Sequence, residues 1–375
     1  MRICFALTGI GVYPIGGFRI VYEYANGLAG LGHEVTVVHP CRMANSGDSL
    51  LALGRRAAVY VGRGLGMRGG YKPGTWFNVD PRVTMLWTPS LHARWIPSGD
   101  AVIATGWQTA ECVAELPPSK GQKYYLIQQV ESNFGFDESR VAATWKMPLR
   151  KIVAGRWLLE IARSKGESAT FVLQGLTFSE FGLDIPLSAR SPYRAIQLYS
   201  DASCKGSAEG IEALCKVREQ VPQLEVALFG VPARPQTIPD WMAYWQNPSR
   251  ETLRKLYNEA AIFVSPSHSE GCALPPCEAA QCGAALCVTD IGGHREYAIH
   301  EQTALLSPPG ETEKLGYNIA RLIRDNTLRG RLAENARRYV QQFTWDRAVN
   351  SFEQALRDSS SDKEHWRAGA TASAV

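Results

Sequence analysis

Short apolar segments alternate with longer amphipathic segments along most of the chain, and this alternation predicts parallel strands covered by helices on both faces. The first half opens on a strand, a helix and a second strand, and the second half repeats the alternation. The predicted strands are 3–7, 34–39, 101–105, 124–128, 152–154, 171–173, 194–199, 226–229, 262–265, 285–289 and 304–307, and the first helix is 18–31. The pattern is typical of an α/β protein with two Rossmann-like domains.

The two sets of strands are separated by residues 182–192, which have the glycine, proline and serine content of a linker. A last helix is predicted from Thr344, a suitable N-cap, to about residue 356. Residues 41–82 are rich in Gly and Arg with weak periodicity, so we expect a mobile loop there. The predicted units are a first domain at 1–182, a second domain at 183–343, the last helix at 344–358 and a disordered tail at 359–375.

Length and composition fit a soluble two-domain protein. A chain of 375 residues suffices for two cores, and 45% hydrophobic with 20% charged residues is ordinary for a globular fold. The formal net charge of +4 and the lack of a run of five basic residues argue against a nucleic-acid partner. This mild basicity allows acidic substrates and peripheral contact with an anionic membrane.

The apolar segments and the cysteines predict a cytoplasmic location. The first apolar run breaks at Gly9, so it is interpreted as a strand and not as a signal peptide. No apolar stretch reaches the roughly 18 residues that span a bilayer. The nine cysteines lack CxxC spacing and should stay reduced. Cys272, Cys277, Cys282 and Cys287 recur every five residues, which turns a helix by about 140°, so we interpret them as core residues and not as a metal site.

The strongest candidate for chemistry is the segment from Glu270 to Glu278, where an apolar strand leads through a glycine into a helix. Pro275 and Pro276 suit the first helical turn, where a missing N–H costs little. The amides before them lie at the positive end of the helix dipole, which is a binding place for a diphosphate. The donors predicted there are the amides of Gly271, Cys272, Ala273 and Leu274.

The two carboxylates suggest the rest of a nucleotide-sugar site. Glu278 lies one turn into the helix, where it can accept hydrogen bonds from the vicinal hydroxyls of a ribose. Glu270 precedes the turn and would face the group beyond the phosphates. A lone glutamate is usually a surface charge, but the apolar strand beside this pair favours a site.

A glycine-rich loop near the N-terminus begins like a dinucleotide-binding fingerprint but departs from it. Pro14 stands where the third glycine belongs, and the second strand lacks a terminal carboxylate for an adenosine ribose, which counts against a dehydrogenase. Gly16 and Gly17 lie directly before a helix, where bare backbone can approach a ligand or merely turn the chain. Arg19 opposes the helix dipole in the first turn, which predicts either a nearby anion or a solvated side chain.

Several segments, in the expected order, resemble the retaining glycosyltransferases of the GT-B fold, family 4. The spacing of Glu270 and Glu278 matches the E-x7-E signature of that family, and the resemblance covers almost the whole chain. The first two segments and the loop at 240–248 resemble its rhamnosyltransferase-like branch most. The segments are GIGVYPIGGFRIVYEYANGLAGLGHEVTVVHP, YYLIQQVE, CKGSAEGIEAL, LYNEAAIFVSPSHSEGCALPPCEAAQCGAALCVTDIGGHREY and FTWDRAVNSFEQAL.

The resemblance implies two Rossmann-like domains with parallel sheets that face a cleft between them. The first domain would bind the acceptor, the second would bind the nucleotide sugar, and the last helix would cross back onto the first domain. The donor would be a nucleoside-diphosphate sugar. A polysaccharide, a lipid-linked glycan and a small natural product all suit the scaffold as acceptors, because the acceptor loops vary freely on it.

The resemblance also assigns the cations of the site. Lys205 matches the family lysine that neutralises the leaving diphosphate, in a pattern like G-R-L-x-x-x-K-G, but Ser200 stands where that pattern has its arginine. Arg19 or another residue would have to compensate for this loss. Gly16 and Gly17 would contact the donor phosphates or the transferred sugar across the cleft.

Further site residues follow from the same resemblance. Gly230 and Tyr244 would frame the base. Many members have a histidine after the fourth strand, where this chain has Trp107, which offers either a stacking surface for a sugar or an ordinary packed ring. Gln128 and Glu131 would line the acceptor side.

The implied reaction is glycosyl transfer with retention, in which the leaving phosphate itself assists deprotonation of the acceptor hydroxyl. Glu270 would orient the sugar hydroxyls, Lys205 and the helix amides would bear the leaving charge, and Glu278 would hold the ribose. The chain has no D-x-D motif, so neither a metal nor another cofactor is expected. The alternatives are a GT-B-fold epimerase or phosphorylase, and a nucleotide-sugar-binding protein whose catalysis has decayed.

Overall fold

The computed structural model describes residues 1–9, 15–43 and 76–358, together with residues 54, 55, 57, 58 and 60–62. Within these residues the chain forms two parallel sheets. The first contains β1 (Arg2–Ala6), β2 (Glu34–Pro40), β3 (Thr84–Thr88), β4 (Ala101–Ala104), β5 (Gln122–Ile127), β6 (Arg150–Val153) and β7 (Ala169–Phe171). The second contains β8 (Arg194–Leu198), β9 (Glu225–Gly230), β10 (Ala243–Gln246), β11 (Ile262–Ser265), β12 (Ala285–Thr289) and β13 (Ala304–Ser307).

Helices connect most of these strands. Those with bounds in the described part are α1 (Gly16–Gly30), α2 (Trp107–Ala114), α3 (Glu138–Thr144), α4 (Arg156–Ser164), α5 (Ser207–Gln220), α6 (Arg250–Glu259), α7 (Leu274–Gln281), α8 (Thr312–Arg324), α9 (Asn326–Val340) and α10 (Trp345–Arg357). Strands that alternate with helices in this way form parallel sheets, since each helix carries the chain back to start the next strand.

The strand order places one switch point in each sheet. The first sheet has the order β3-β2-β1-β4-β5-β6-β7, and the second has the order β10-β9-β8-β11-β12-β13. The loops that leave β1 and β4, and those that leave β8 and β11, therefore diverge and open a crevice at the carboxyl edge of each sheet. The two parallel sheets confirm the predicted pair of Rossmann-like domains.

The interior strands are buried because their sequences are continuous apolar runs. Every residue of β4, β11 and β12 is buried. Side chains along a strand alternate between the two faces of the sheet. In β1, Ile3 and Phe5 join one apolar cluster, whereas Cys4 and Ala6 join the cluster on the other face.

The last helix packs on the first domain, as the sequence predicted. Thr344 caps α10 through its side chain, and Phe352 stacks on Phe5 of β1 with ring centroids 5.9 Å apart. A Cβ on Gly27 of α1 would lie 2.3 Å from the side chain of Val349, so only glycine lets α1 and α10 approach this closely. The chain thus returns from the second domain to complete the core of the first.

Two strands were not predicted from the sequence. β3 and β10 each form one of the two edges of their sheet, and β10 exposes three of its four residues. Edge strands need no continuous apolar run, because only one of their sides is paired and neither face has to be fully covered. β10 occupies part of the stretch at 240–248 that the sequence analysis interpreted as a loop.

Some expectations concern residues that are not described. The mobile loop expected at 41–82 falls mostly outside the described part, and the tail at 359–375 lies entirely outside it. Among the described helices, none combines the length and the hydropathy needed to cross a bilayer. The nine cysteines are all free, and Cys287 belongs to a different core cluster from Cys272, Cys277 and Cys282.

Candidate active site

Two loops meet at the switch point of the second sheet, one after β8 and the other after β11. The first loop ends in a 3₁₀ turn, Ser203–Lys205, and Gly206 follows it with a φ of +60°. A Cβ on Gly206 would lie 2.2 Å from the carbonyl oxygen of Pro266 in the second loop, so this packing requires glycine. The contact brings the end of the 3₁₀ turn next to Glu270.

Lys205 and Glu270 form a close ion pair in this crevice. The lysine Nζ lies 2.7 Å from each carboxylate oxygen, and the hydroxyl of Ser267 donates to Oε1 at 2.9 Å. Glu270 is only 7% exposed. Low local dielectric strengthens both the ion pair and the hydrogen bond, so the carboxylate is held in one position.

A buried histidine is connected to this carboxylate through two serine hydroxyls. His294 Nε2 lies 3.1 Å from the hydroxyl of Ser265, which lies 3.5 Å from that of Ser267. Burial lowers the pKa of His294, so the ring is neutral near pH 7. His294 could not be predicted from the sequence, since a lone histidine in a loop carries no spacing signal.

The N-terminus of α7 is the second feature of an anion-binding site. Pro275 and Pro276 lie in its first turn, as predicted, and the N-cap Ala273 provides no side-chain cap. Within the described part of the chain, the amides at 271–274 find no hydrogen-bond acceptor. Because partial positive charge collects at such an end, it is ready to receive an anion.

The first domain reaches directly to the loop before α7. A Cβ on Gly271 would lie 1.7 Å from the carbonyl oxygen of Gln128, so the two backbones touch here. The indole N–H of Trp157 donates to the carbonyl of Gly271 at 2.9 Å, and the side chain of Gln174 donates to the carbonyl of Cys272. The carbonyls of this loop are thus held by the first domain, which leaves its amides for a ligand.

Glu278 is one end of a chain of ion pairs between the domains. Its Oε1 accepts a hydrogen bond of 2.9 Å from Arg250, and the hydroxyl of Tyr257 lies 3.4 Å from its Oε2. Arg250 also donates to Glu180 at 2.8 Å, and Arg19 donates to the same oxygen at 2.7 Å. The chain connects α1 of the first domain with α6 and α7 of the second.

Arg19 lies beside acidic side chains of the protein itself. Its guanidinium donates to Glu180 at 2.7 Å, to the hydroxyl of Thr177 at 3.1 Å and to Glu23 at 3.4 Å. Burial acts to raise the pKa of Glu180, but Arg19 and Arg250 together outweigh it, and that pKa is lowered. Arg19 therefore has a nearby anion, which is one of the two situations that the sequence allowed, and its contact with donor phosphates stays a prediction.

Gly16 and Gly17 begin α1 on the side of the first domain. The Gln128 side chain donates to the carbonyl of Gly17 at 3.3 Å, and a Cβ on Gly17 would meet the same side chain at 3.4 Å. Residues 10–14 of the preceding loop lie outside the described part. Because its own carbonyl touches Gly271, Gln128 lies between the N-termini of α1 and α7, and not only on the expected acceptor side.

Trp107 is packed and does not form the stacking surface offered by one of its two interpretations. It is 6% exposed, the guanidinium of Arg140 covers its ring at 4.5 Å, and Phe136 lies 6.1 Å away between ring centroids. A ring that is already covered cannot also stack on a sugar. The structure thus favours the ordinary packed ring.

Glu131 follows β5 and lies beside the ends of β1 and β4, at the switch point of the first sheet. Its Oε2 accepts hydrogen bonds from the amide of Trp107 at 2.7 Å and from the hydroxyl of Tyr125 at 2.9 Å. Burial raises the pKa of Glu131 to about 7, although both hydrogen bonds act to lower it. It is therefore a carboxylate that changes its charge near neutral pH.

The residues expected around the base lie close to the carboxyl ends of β8, β9 and β10. Tyr244 meets Tyr199 edge-on with ring centroids 5.9 Å apart, and a Cβ on Gly230 would lie 2.4 Å from the carbonyl oxygen of Tyr199. The hydroxyl of Ser200 accepts a hydrogen bond of 3.2 Å from the amide of Ala202. Ser200 thus shapes a turn and contributes no positive charge.

Sequence reasoning missed several residues that join the two domains beside the site. Asn133 donates to the hydroxyl of Ser269 at 2.7 Å. Glu296 of the second domain accepts hydrogen bonds from the amide and from the guanidinium of Arg156, where α4 begins. The glycine pair at 292–293, which packs closely here, is the sequence signal that could have indicated a contact.

Comparisons with known proteins show similarity to one family over part of the chain. Residues 204–339 match the family described as Glycosyl transferases group 1. D-inositol 3-phosphate glycosyltransferase of Jonesia denitrificans is 28% identical over 158 residues, which are 38% of this chain and 37% of that protein. Capsular polysaccharide biosynthesis glycosyltransferase CapM of Staphylococcus aureus is 24% identical over 131 residues, 32% of this chain and 34% of that protein. The chain thus matches well under half the length of these relatives, whose names support the prediction of a transferase enzyme.

Solved structures match nearly the whole chain. Sucrose-phosphate synthase from Thermosynechococcus elongatus covers 95% of this chain and 98% of its own, with a TM-score of 0.72 and 17% identity. HepE of Anabaena, in complex with UDP and glucose, covers 95% and 99%, with a TM-score of 0.70 and 13% identity. TarM of S. aureus, in complex with Fondaparinux, alpha-GlcNAc-glycerol and UDP, covers 95% and 99%, with a TM-score of 0.71 and 9% identity. At these identities the likeness shows the fold alone, and it confirms the predicted GT-B fold.

Proposed function

We propose that this protein, whose second domain matches Glycosyl transferases group 1, moves a sugar from a nucleoside diphosphate to an acceptor hydroxyl with retention of configuration. The observation that carries the proposal is the ion pair of Lys205 and Glu270 beside the uncovered N-terminus of α7. A cation and a helix dipole at one switch point suit a diphosphate, and a buried carboxylate beside them suits sugar hydroxyls.

The donor would lie along the carboxyl edge of the second sheet. Its diphosphate would accept hydrogen bonds from the amides at 271–274 and from Lys205, and Glu270 would turn from the lysine to the hydroxyls of the sugar. Glu278 would accept from the ribose hydroxyls, and Tyr244 with Gly230 would border the base. Both glutamates are buried, at 7% and 5% exposure, and their ion pairs to Lys205 and Arg250 hold them in fixed positions along this edge.

The chemistry consists of stabilising the departing nucleoside diphosphate. Negative charge grows on its β-phosphate as the bond to the sugar breaks, and a fixed ammonium with fixed amides stabilises that state more than the ground state. Retention, membership of family 4 and the rhamnosyltransferase-like branch rest on the sequence resemblance. We expect no metal or other cofactor to be needed, so transfer should persist in EDTA.

For the acceptor, we propose a chemical class and not a single compound. CapM is named for capsular polysaccharide biosynthesis, and TarM was solved with UDP and a GlcNAc-glycerol. These names support UDP-sugars as first donors to try and a glycan, a lipid-linked glycan or a small natural product as the acceptor. A cytoplasmic enzyme that makes peripheral contact with a membrane would reach a lipid-linked acceptor.

A screen of nucleoside-diphosphate sugars tests the proposal. A donor at about 100 times its dissociation constant should stabilise the fold by roughly 2.7 kcal/mol, which a thermal shift detects, and added acceptor should release the nucleoside diphosphate. The Lys205→Ala variant should lose turnover, whereas Lys216→Ala, on α5, should keep it. A protein that no nucleotide sugar stabilises would contradict the proposal. Binding with negligible turnover in wild type and Lys205→Ala alike would favour the decayed binding protein instead.

A further inference from the structure

The switch point of the first sheet contains a carboxylate that the mechanism above does not use. Glu131 follows β5, and its Oε1 lies 3.1 Å from the place that a Cβ on Gly106 would take, directly after β4. The same Cβ would meet Thr8, which follows β1, at 2.8 Å. Glu131 thus lies where β1 and β4 diverge, which is the ligand-binding crevice of an open parallel sheet.

The two carboxylate oxygens of Glu131 differ in their hydrogen bonding. Oε2 is fixed by the amide of Trp107 at 2.7 Å and by the hydroxyl of Tyr125 at 2.9 Å. Oε1 accepts no hydrogen bond from any described residue. One oxygen therefore orients the group, while the other keeps its lone pairs for a ligand.

The turn that contains Glu131 also contacts the proposed donor site. Glu131 begins this 3₁₀ turn, Glu131–Phe134, which contacts the turn Ser203–Lys205 of the second domain. Asn133 of the same turn donates to the hydroxyl of Ser269 at 2.7 Å, directly before Glu270. The free oxygen and the ion pair of Lys205 and Glu270 thus belong to segments that touch across the cleft.

From this geometry we infer that Glu131 binds the acceptor hydroxyl through Oε1 and takes up its proton during transfer. The inference rests on the proposed function and deepens it, because it names the group that activates the acceptor. The acceptor oxygen forms a bond to the anomeric carbon on the face that the leaving phosphate vacates, so the configuration is retained, and its proton passes to Oε1. The bond from the anomeric carbon to the β-phosphate oxygen breaks, and the nucleoside diphosphate leaves with the electron pair. The leaving phosphate is then relieved of the deprotonating role that the resemblance implies.

The charges around Glu131 suit this task. Tyr125 of β5 faces it as a neutral donor, Arg140 of α3 is paired with Glu111 of α2, and Lys205 stands on the contacting turn. Burial raises the pKa of Glu131 to about 7. A base whose pKa lies near the working pH combines a large ionised fraction with adequate proton affinity.

The test compares wild type, Glu131→Gln and a matched control, Glu138→Gln, which is exposed in the first turn of α3. Glutamine keeps an oxygen for the Trp107 amide and the Tyr125 hydroxyl but cannot take a proton. The turnover number for transfer should fall by about 10²- to 10⁴-fold in Glu131→Gln, with donor binding unchanged. Wild-type transfer should decline below about pH 7, and the residual rate of the variant should lose that decline. Glu138→Gln should behave as wild type in both assays.

The outcomes separate this inference from the proposed function. Transfer by Glu131→Gln at the wild-type rate, or a variant that keeps the wild-type pH profile, would overturn the role of Glu131 and leave the transferase intact. A wild type that neither binds a nucleotide sugar nor transfers would overturn both. Thermal unfolding of each variant identifies a loss of activity that comes from misfolding. If Glu131→Gln does not fold, the pH dependence of wild-type transfer tests the inference instead. A wild-type rate that does not decline below pH 7 would contradict it.

Discussion

The Nζ atom of Lys205 lies 2.7 Å from both carboxylate oxygens of Glu270, although 65 residues separate the two in sequence. The lysine follows β8 and the glutamate follows β11, so the pair spans the switch point of the second sheet. The ion pair therefore marks the position that the fold itself provides for a ligand. The same ion pair links the stability of the site to its chemistry.

Lys205→Ala should lower both transfer and stability. The buried carboxylate of Glu270 would lose its partner, which costs about 1–3 kcal/mol of unfolding free energy, and transfer should fall about 10²-fold. The double variant Lys205→Ala with Glu270→Gln should regain stability, because no buried charge remains, but should not regain transfer. Urea unfolding and transfer assays measure the two effects. Wild-type transfer in Lys205→Ala would contradict the assigned role.

Arg250→Ala should weaken donor binding through Glu278. This substitution leaves the carboxylate, which is 5% exposed, without its ion pair, so we expect a loss of about 1–3 kcal/mol of stability. The KM for the donor should rise roughly tenfold because the ribose-binding carboxylate is no longer oriented. Lys255→Ala is the control, since this lysine of α6 is 76% exposed. If the donor KM is unchanged, the ion-pair chain does not support the ribose site.

Gly271→Ala should force the two domains apart at the site. Its Cβ would lie 1.7 Å from the carbonyl oxygen of Gln128. This clash involves the backbone of the other domain, so only a displacement of one domain from the other relieves it. We expect a larger radius of gyration in small-angle scattering and a loss of transfer. Gly330→Ala is the matched control, because a Cβ there meets nothing within 4 Å and alanine favours the helix by about 1 kcal/mol. A variant with unchanged scattering and activity would refute the contact.

The stability of the wild type should depend on Glu131 between about pH 4.5 and pH 7. Burial raises the pKa of this group from 4.5 to about 7, so in that window the folded state binds the proton more strongly than the unfolded state. Stability is then greatest below pH 4.5 as far as this group is concerned, and it falls by up to about 3 kcal/mol as pH rises through 7. Glu131→Gln should lose this component. Chemical denaturation of both proteins at pH 5 and pH 8 checks the difference.

Local sequence features predicted much of the fold. Interior strands such as β11 and β12 appear as continuous apolar runs because both faces of a parallel sheet are buried. Pro275 and Pro276 marked the start of α7, and Thr344 marked that of α10, since helix ends have strong residue preferences. The edge strand β10 had no such signal.

The parts of the site that the sequence did not reveal depend on contacts between distant residues. Trp157 donates to Gly271 across 114 positions, and Asn133 donates to Ser269 across 136. Neither contact follows from local spacing, because it exists only once the two domains have met. For the same reason the sequence did not identify the anion beside Arg19, which in the structure is Glu180, 161 positions away.

The most direct measurement is a crystal structure of the protein with a nucleoside-diphosphate sugar that the thermal-shift screen identifies. The account predicts that the diphosphate lies within hydrogen-bond distance of the amides at 271–274 and of Lys205 Nζ. The ribose hydroxyls should contact Glu278, and the sugar should contact Glu270. A donor bound elsewhere, with Lys205 still paired to Glu270 and the start of α7 empty, would contradict the central claim.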